Sequence, residues 1–216
     1  MSDVFSNFDL VLNAFWLTLQ LFVLSALVSL VFGTLLAAAR VGPVPVLAKA
    51  GAAYVTLVRN TPLLVVFIFV FIAMPRLDLN ISSFLVKGVL ALSIYTSAFV
   101  CEAMRAGVNA VPLGQAEASR AVGLTFTQSM GLVILPQALR AVVPPLASVL
   151  IALVKNTSIG AAFGLAEATF RMRGFTNDNT SDRPLIFITF AIGYIIIVEV
   201  VSAGAITLER RWKVAR

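Results

Sequence analysis

Residues 10–39 read LVLNAFWLTLQLFVLSALVSLVFGTLLAAA, a run of 30 residues without a charged side chain. About 20 consecutive apolar residues form a helix that crosses the hydrocarbon core of a bilayer. The run therefore predicts one long or tilted transmembrane helix. A cleavable secretory signal would begin with a basic segment and carry an apolar core of only about 7–15 residues. Asp3 and Asp9 precede this run and no Lys or Arg does, so we expect the segment to be retained.

The composition of the whole chain extends this prediction to a polytopic membrane protein. Of the 216 residues, 60% are hydrophobic and 12% are charged, and the mean hydropathy is +0.99. A soluble domain carries about 25% charged residues, so this chain lacks the side chains to cover a water-facing surface. A soluble enzyme, a disordered chain and a fibrous repeat are excluded.

The charged and metal-ligating residues exclude further classes of protein. The net charge is +6, but the basic residues stand singly between apolar runs and form no patch that would bind nucleic acid. The single cysteine, Cys101, cannot form an internal disulfide. The chain contains no histidine, the commonest metal ligand and general base, and we expect no metal site.

Five apolar segments predict an all-α protein with five transmembrane helices, at about residues 10–39, 55–74, 84–103, 142–166 and 185–208. Lys and Arg accumulate on the cytoplasmic side of such helices. With the N-terminus outside, ten of these residues fall in inside segments and five in outside segments. We therefore predict an outside N-terminus and an inside C-terminus. Five spans make a thin bundle, and without an internal duplication we expect an oligomer or a partner membrane subunit if the protein forms a pathway.

The connection between the third and fourth spans, about residues 105–140, is the largest inside segment. Gln115 to Val122 predicts a short helix that ends at Gly123, because glycine tolerates left-handed backbone. Thr125 is the expected N-cap of a second short helix that reaches Leu135, and Pro136 then marks the approach to the fourth span. From these residues alone, a loop at the lipid headgroups and a partner-docking element are equally consistent.

This segment resembles the EAA loop of ATP-binding-cassette (ABC) importer permeases. The likeness rests on Glu117-Ala118-Ser119, on Gly123 and on Val133-Ile134-Leu135-Pro136, with Ser119 in place of an alanine and Val133 in place of an isoleucine. Flanking motifs resemble the polar amino acid uptake branch, in the right order over about residues 10–210. They are Arg59-Asn60-Thr61-Pro62-Leu63, Tyr95-Thr96-Ser97-Ala98, Arg105-Ala106-Gly107-Val108, Pro136-Gln137-Ala138-Leu139-Arg140 and Lys155-Asn156-Thr157-Ser158.

The resemblance implies one permease domain over residues 1–216, with the type I importer fold, in a bacterial inner membrane. It also implies a second permease chain, identical or a sister, two cytoplasmic ATPase subunits and an extracytoplasmic amino acid-binding protein. The chain lacks the Gly-x-x-x-x-Gly-Lys-Ser/Thr phosphate loop, so we expect ATP and Mg²⁺ on the separate ATPase and neither a catalytic residue nor a cofactor here. The overall likeness favours glutamate or a related polar amino acid as cargo.

The resemblance also implies that the loop at about residues 105–140 couples the ATPase to the transmembrane spans. Glu117 is expected either to meet a basic group on the ATPase or to cap backbone donors of its own helix. Gly123 would permit a close chain reversal between the two short helices. The expected coupling residues are Gly114, Gln115, Glu117, Ala118, Ser119, Gly123, Leu135 and Pro136.

Polar residues within the spans are candidates for a substrate pathway. A charge at the bilayer centre costs at least about 2.5–3.5 kcal/mol, so Lys155 needs a partner or a wet cavity, unless the fourth span starts later and Lys155 lies at a helix end. A partner would be a substrate carboxylate or, in a structural role, Glu102 or Glu199. The candidate pathway residues are Lys155, Asn156, Thr157, Ser158, Tyr95, Ser97 and Glu102. Arg59, Thr61 and Pro62 are candidates for a gate or, more simply, for the start of a helix.

Other classes of membrane protein remain alternatives. An ATP-independent channel or proton-coupled carrier would transport without an ATPase and would need a relay of titratable groups. A membrane scaffold would transport nothing. An integral membrane enzyme is the weakest alternative, because no nucleophile–base set or metal-ligand cluster is visible.

Overall fold

The computed structural model describes residues 6–179 and 181–212, which form helices and short connections without a β-strand. The helices are α1 Phe8–Val41, α2 Pro45–Arg59, α3 Leu63–Arg76, α4 Phe84–Asn109, α5 Leu113–Ala121, α6 Phe126–Phe163, α7 Ala168–Asp178 and α8 Arg183–Trp212. The helices α1, α4, α6 and α8 are long and apolar enough to cross a bilayer. The all-α class predicted from the sequence is confirmed.

The second predicted span, residues 55–74, is not one helix. It is divided between α2 and α3, whose axes differ by 101° across a break at residues 60–62. The proline ring of Pro62 lacks an N–H and disfavours helical backbone at the residue before it, which explains the break. Arg59 ends α2, and Thr61 bonds back to the carbonyl of Leu57 at 2.8 Å. If the bent pair is counted as one span, the described chain has up to five.

The helices α4 and α6 extend beyond their predicted spans of 84–103 and 142–166. The helix α4 continues to Asn109, and α6 already begins at Phe126. Thr125 caps α6 as expected, because its hydroxyl accepts from the N–H of Gln128 at 3.3 Å. The expected separate second short helix is therefore the first part of α6.

Pro136 does not interrupt α6, contrary to the sequence-based expectation. A proline ring in an α-helix clashes with the carbonyl four residues earlier. Here Ser129–Ile134 form wider π-helical turns directly before Pro136, which relieves that clash. The helix also continues through Pro144 and Pro145, as transmembrane helices do when neighbouring groups satisfy the freed carbonyls.

The core lies where α1, α3, α4 and α6 meet. Its buried side chains include Leu21, Phe67, Leu92, Leu153 and Leu165. Small residues let these helices approach closely, which is the usual basis of helix association in lipid. Gly33 of α1 lies against Val100 of α4, and Gly107 of α4 lies against α6.

We expect Gly107→Ala to destabilise the protein. A Cβ atom at this position would clash with Cγ2 of Val142 and would lie 2.8 Å from the carbonyl oxygen of Ala138. Overpacking of this kind costs about 1–3 kcal/mol. A lower melting temperature of the purified permease in detergent is the expected result. Gly204→Ala in α8 is the control, because no atom lies within 4 Å of its Cβ. Equal melting temperatures for the two variants would contradict close α4–α6 packing.

Candidate functional site

The short helix α5 ends in a tight chain reversal. Gly123 has φ = +86°, the left-handed region that favours glycine. The N–H of Gly123 donates to the backbone carbonyl of Arg120 at 2.9 Å, and the N–H of Leu124 donates to the backbone carbonyl of Ser119 at 3.1 Å. This pair of bonds is a Schellman motif, which satisfies the carbonyls of Ser119 and Arg120 within this chain.

Ser119 connects α5 to the start of α6. Its side chain is buried, and its hydroxyl lies 2.7 Å from the carbonyl oxygen of Ala116 and 2.9 Å from Oγ of Ser129. The hydroxyl thus adds a contact that an alanine at this position would lack. As a result, α5, the reversal and the first turn of α6 are held together.

The face of α5 that points away from α6 is largely exposed. Gly114, Gln115, Glu117 and Ala118 are exposed, and the apolar side chain of Leu113 is 81% exposed. The residue before α5 is Pro112, and no side chain caps that end of the helix. Glu117 therefore does not act as a local cap but presents its carboxylate to the surroundings. Two further coupling candidates, Leu135 and Pro136, are exposed on α6.

Glu102 is the centre of an arginine cluster formed by Arg40, Arg59 and Arg105. Arg40 of α1 donates a hydrogen bond directly to Oε1 of Glu102. Nη1 of Arg59 lies 3.6 Å from Oε2, and Nε of Arg105 lies 3.6 Å from Oε1. The cluster joins α1, α2 and α4, and Lys155 is not the partner of Glu102.

A cavity of about 360 Å³ with both polar and apolar side chains in its wall lies between α4 and α6. Its wall includes Tyr95, Thr96 and Phe99 of α4 and Ser148, Ala152 and Asn156 of α6. The guanidinium carbon of Arg59 lies 5.6 Å from the ring centroid of Phe99. Phe99 thus contacts Arg59 and also lines this α4–α6 cavity, whereas none of the three arginines lines the cavity itself.

A second opening, of about 410 Å³, lies between α6 and α8. Lys155, Ser158, Tyr194 and Glu199 line it. In the described chain no ion pair joins Lys155 to Glu199, although both face the same α6–α8 cleft. Lys155 lies in the last α-helical turn before the 3₁₀ segment Thr157–Phe163, not in the middle of a helix.

The candidate pathway residues are thus divided among several environments. Tyr95 and Asn156 share the α4–α6 cavity, whereas Lys155 and Ser158 line the α6–α8 cleft. Two others are buried in packing. The hydroxyl of Ser97 lies 2.9 Å from that of Tyr54, and that of Thr157 donates to the carbonyl of Val154 at 2.7 Å.

Glu167, which the sequence did not single out, is a fully buried carboxylate in the connection between α6 and α8. It accepts hydrogen bonds from the N–H groups of Thr169 and Phe170 and from the hydroxyl of Tyr194, at 3.0, 2.9 and 2.7 Å. Burial raises the pKa of this carboxyl, and these donors oppose the increase. Its hydrogen-bond partner on α8, Tyr194, is 27 residues away in the chain, so nothing in the sequence indicated this contact. The position of Glu167 directly before a helix was the one signal in the sequence for its role as a helix cap.

Comparisons of the sequence and of the structure with known proteins agree, because each finds membrane components of transport systems. Residues 10–214 match the family described as binding-protein-dependent transport system inner membrane component. The chain is 39% identical to the glutamate transport system permease protein GluC of Corynebacterium efficiens, over 95% of both chains. It is 37% identical to the probable glutamine ABC transporter permease protein GlnM of Bacillus subtilis, over 98% of this chain and 97% of GlnM. A crystal structure of an amino acid ABC transporter superposes with a TM-score of 0.89 at 28% identity, over 96% of both chains.

Proposed function

This chain belongs to the family of binding-protein-dependent transport system inner membrane components, and from that membership we propose that it carries a polar amino acid into the cytoplasm. It is a multi-pass membrane protein and the permease of an amino acid ABC transporter. The observation that carries the proposal is the family match over residues 10–214. The names of GluC and GlnM favour glutamate or a related amino acid as cargo.

ATP hydrolysis belongs to two separate cytoplasmic subunits, which hold ATP and Mg²⁺, and α5 is their docking element. The exposed face of α5 and the basic residues around it support a cytoplasmic position. Residues 1–216 then form one permease domain, with the N-terminus outside and the C-terminus inside. An extracytoplasmic binding protein delivers the amino acid at the opposite end, where α7 lies.

The continuity of α6 suggests how ATPase movement reaches the substrate. The helix begins three residues after Gly123 and continues to Phe163, and its later turns line the α4–α6 cavity. Because Ser119 ties α5 to this helix, a displacement of α5 moves α6 as a body. Closure of the ATPase pair would thereby alternate the access of the cavity between the two sides of the membrane. A second permease chain, identical or a sister, completes the pathway.

The test is reconstitution of the purified transporter, with its ATPase and binding protein, in lipid vesicles. ATP turnover and uptake of radiolabelled amino acids are measured together. We expect uptake only with both ATP and the binding protein, and none with a non-hydrolysable nucleotide. Uptake without the ATPase would favour a channel or carrier, and absence of both uptake and ATPase association would favour a scaffold.

A further inference from the structure

We propose that one acyl chain of a bilayer phospholipid occupies an apolar cavity between the end of α1 and the start of α6. This α1–α6 cavity has a volume of about 260 Å³, and α4 completes its wall. In the part of the chain that the structure describes, it shares no lining residue with the α4–α6 cavity or with the α6–α8 cleft. The site is therefore separate from the candidate substrate pathway.

The wall of the α1–α6 cavity consists almost entirely of hydrocarbon. Thr34 supplies the one hydroxyl among the lining side chains, and the others include Ala37, Val41, Met104, Met130 and Val142. A buried water needs several polar partners, so an apolar cavity stays dry and accepts apolar molecules. Empty space also forfeits dispersion contacts along the wall. A hydrocarbon chain therefore suits this cavity better than water or an amino acid does.

Small residues leave the space between the three helices unfilled. The helix α4 packs closely against α1 at Gly33 and against α6 at Gly107. Near these contacts the wall carries Ala38 and Gly42 on α1 and Ala138 on α6. Small residues let helices approach in lipid, but here they face a gap and not a neighbouring helix. The gap is thus a feature of the sequence at these positions.

The mouth of the cavity joins the apolar surface of the spans. Leu135 and Leu139 of α6 line the cavity and are themselves exposed. On α1, Val31 and Leu35 lie one turn before residues of the wall and are 64% and 62% exposed. Both belong to the uncharged run 10–39, which crosses the hydrocarbon of the bilayer. A lipid chain can therefore enter sideways without passing a polar surface.

Arg40 indicates the depth of the cavity in the membrane. It is the first charged residue after the run 10–39, and the wall on α1 extends from Thr34 to Gly42. The cavity therefore lies close to the headgroups of the leaflet on the side where α1 ends. Within the described chain, none of the lining residues comes from α5, the proposed docking element of the ATPase. A chain from the bilayer thus reaches this space more directly than a side chain of the ATPase.

The test is photolabelling of the complete transporter, with all its subunits, in nanodiscs of phosphatidylethanolamine and phosphatidylglycerol. A small fraction of the phosphatidylglycerol carries a diazirine in one acyl chain, and mass spectrometry identifies the labelled residues. We expect several-fold more label on residues 34–42 and 135–142 than on Ile196 and Val200, which are exposed on α8. Label at the level of α8 would show that another subunit or the protein itself fills the cavity, and would overturn the proposal.

Ala38→Phe tests whether the label comes from the cavity, because its ring would occupy the space that the chain needs. Label on residues 135–142 should fall to the level of α8. Ala38→Leu fills less of the space, so it should give an intermediate level, and it provides the test if Ala38→Phe does not assemble. Ala203→Phe is the matched control, because Ala203 is an exposed alanine near the end of α8 and does not line the cavity. Unchanged label in Ala38→Phe, or an equal loss in Ala203→Phe, would overturn the assignment.

The melting temperature gives a second measurement. A molecule that binds the folded protein raises its melting temperature. Phosphatidylglycerol added to the delipidated transporter should therefore raise the melting temperature of the wild type and of Ala203→Phe by more than that of Ala38→Phe. An equal rise in all three proteins would contradict occupation of the cavity. Neither measurement requires transport, so a transporter that imports no amino acid would refute the proposed function without deciding this proposal.

Discussion

Gly123→Trp is expected to abolish amino acid uptake while the ATPase remains able to hydrolyse ATP. The backbone at Gly123 has φ = +86°, where a residue with a Cβ atom is strained by about 1–2 kcal/mol. No atom lies within 4 Å of a Cβ built there, so the indole would not clash within this chain. It would instead project beside α5, where we place the ATPase. The measurement is uptake and ATP turnover on the same reconstituted vesicles.

Two substitutions to alanine distinguish the effect of backbone strain at Gly123 from the effect of side-chain size. Gly123→Ala adds only a Cβ atom in open space, so any loss of uptake reflects backbone strain, and we expect a partial loss. Gly131→Ala serves as control, because its Cβ is equally free and its φ is not positive. Wild-type uptake per ATP in Gly123→Trp would show that this reversal does not transmit ATPase movement.

Glu102→Gln is expected to cause a large loss of stability. It removes the only carboxylate that the described structure places against Arg40, Arg59 and Arg105. Breaking a buried ion pair costs about 3–5 kcal/mol, because the remaining charge is left without compensation. The side chain of Glu102 is 27% exposed, so we expect the lower end of that range. The melting temperature of the detergent-purified transporter should fall accordingly.

The double variant Arg40→Gln/Glu102→Gln tests whether charge compensation is the cause. It removes the most buried guanidinium of the cluster together with the carboxylate, so it should recover much of the lost stability. Glu199→Gln is the control, since Glu199 lies on α8 and makes no ion pair within the described chain. If the double variant is as unstable as Glu102→Gln, the pairing explanation is wrong.

The features that depend on residues close together in the sequence were predictable from it. The 30-residue uncharged run before Arg40 indicated a membrane protein, because a helix crosses a bilayer only if its residues are apolar in sequence. The left-handed Gly123 and the capping Thr125 also followed from their immediate context, since turn and cap preferences act over a few residues. Prolines were less informative, because Pro62 separates two helices whereas Pro136 lies within one.

The candidate site depends on contacts between residues far apart in the chain. Arg40 meets Glu102 across 62 positions, and Tyr194 meets Glu167 across 27. Lys155 and Asn156 are adjacent, yet they line different openings, because α6 has α4 on one side and α8 on another. No local preference specifies which helix faces which, since that choice depends on packing of whole helices in three dimensions. The sequence by itself thus indicated a membrane permease with a chain reversal at Gly123. The arginine cluster and the α4–α6 cavity arise only when α1, α2, α4 and α6 pack together.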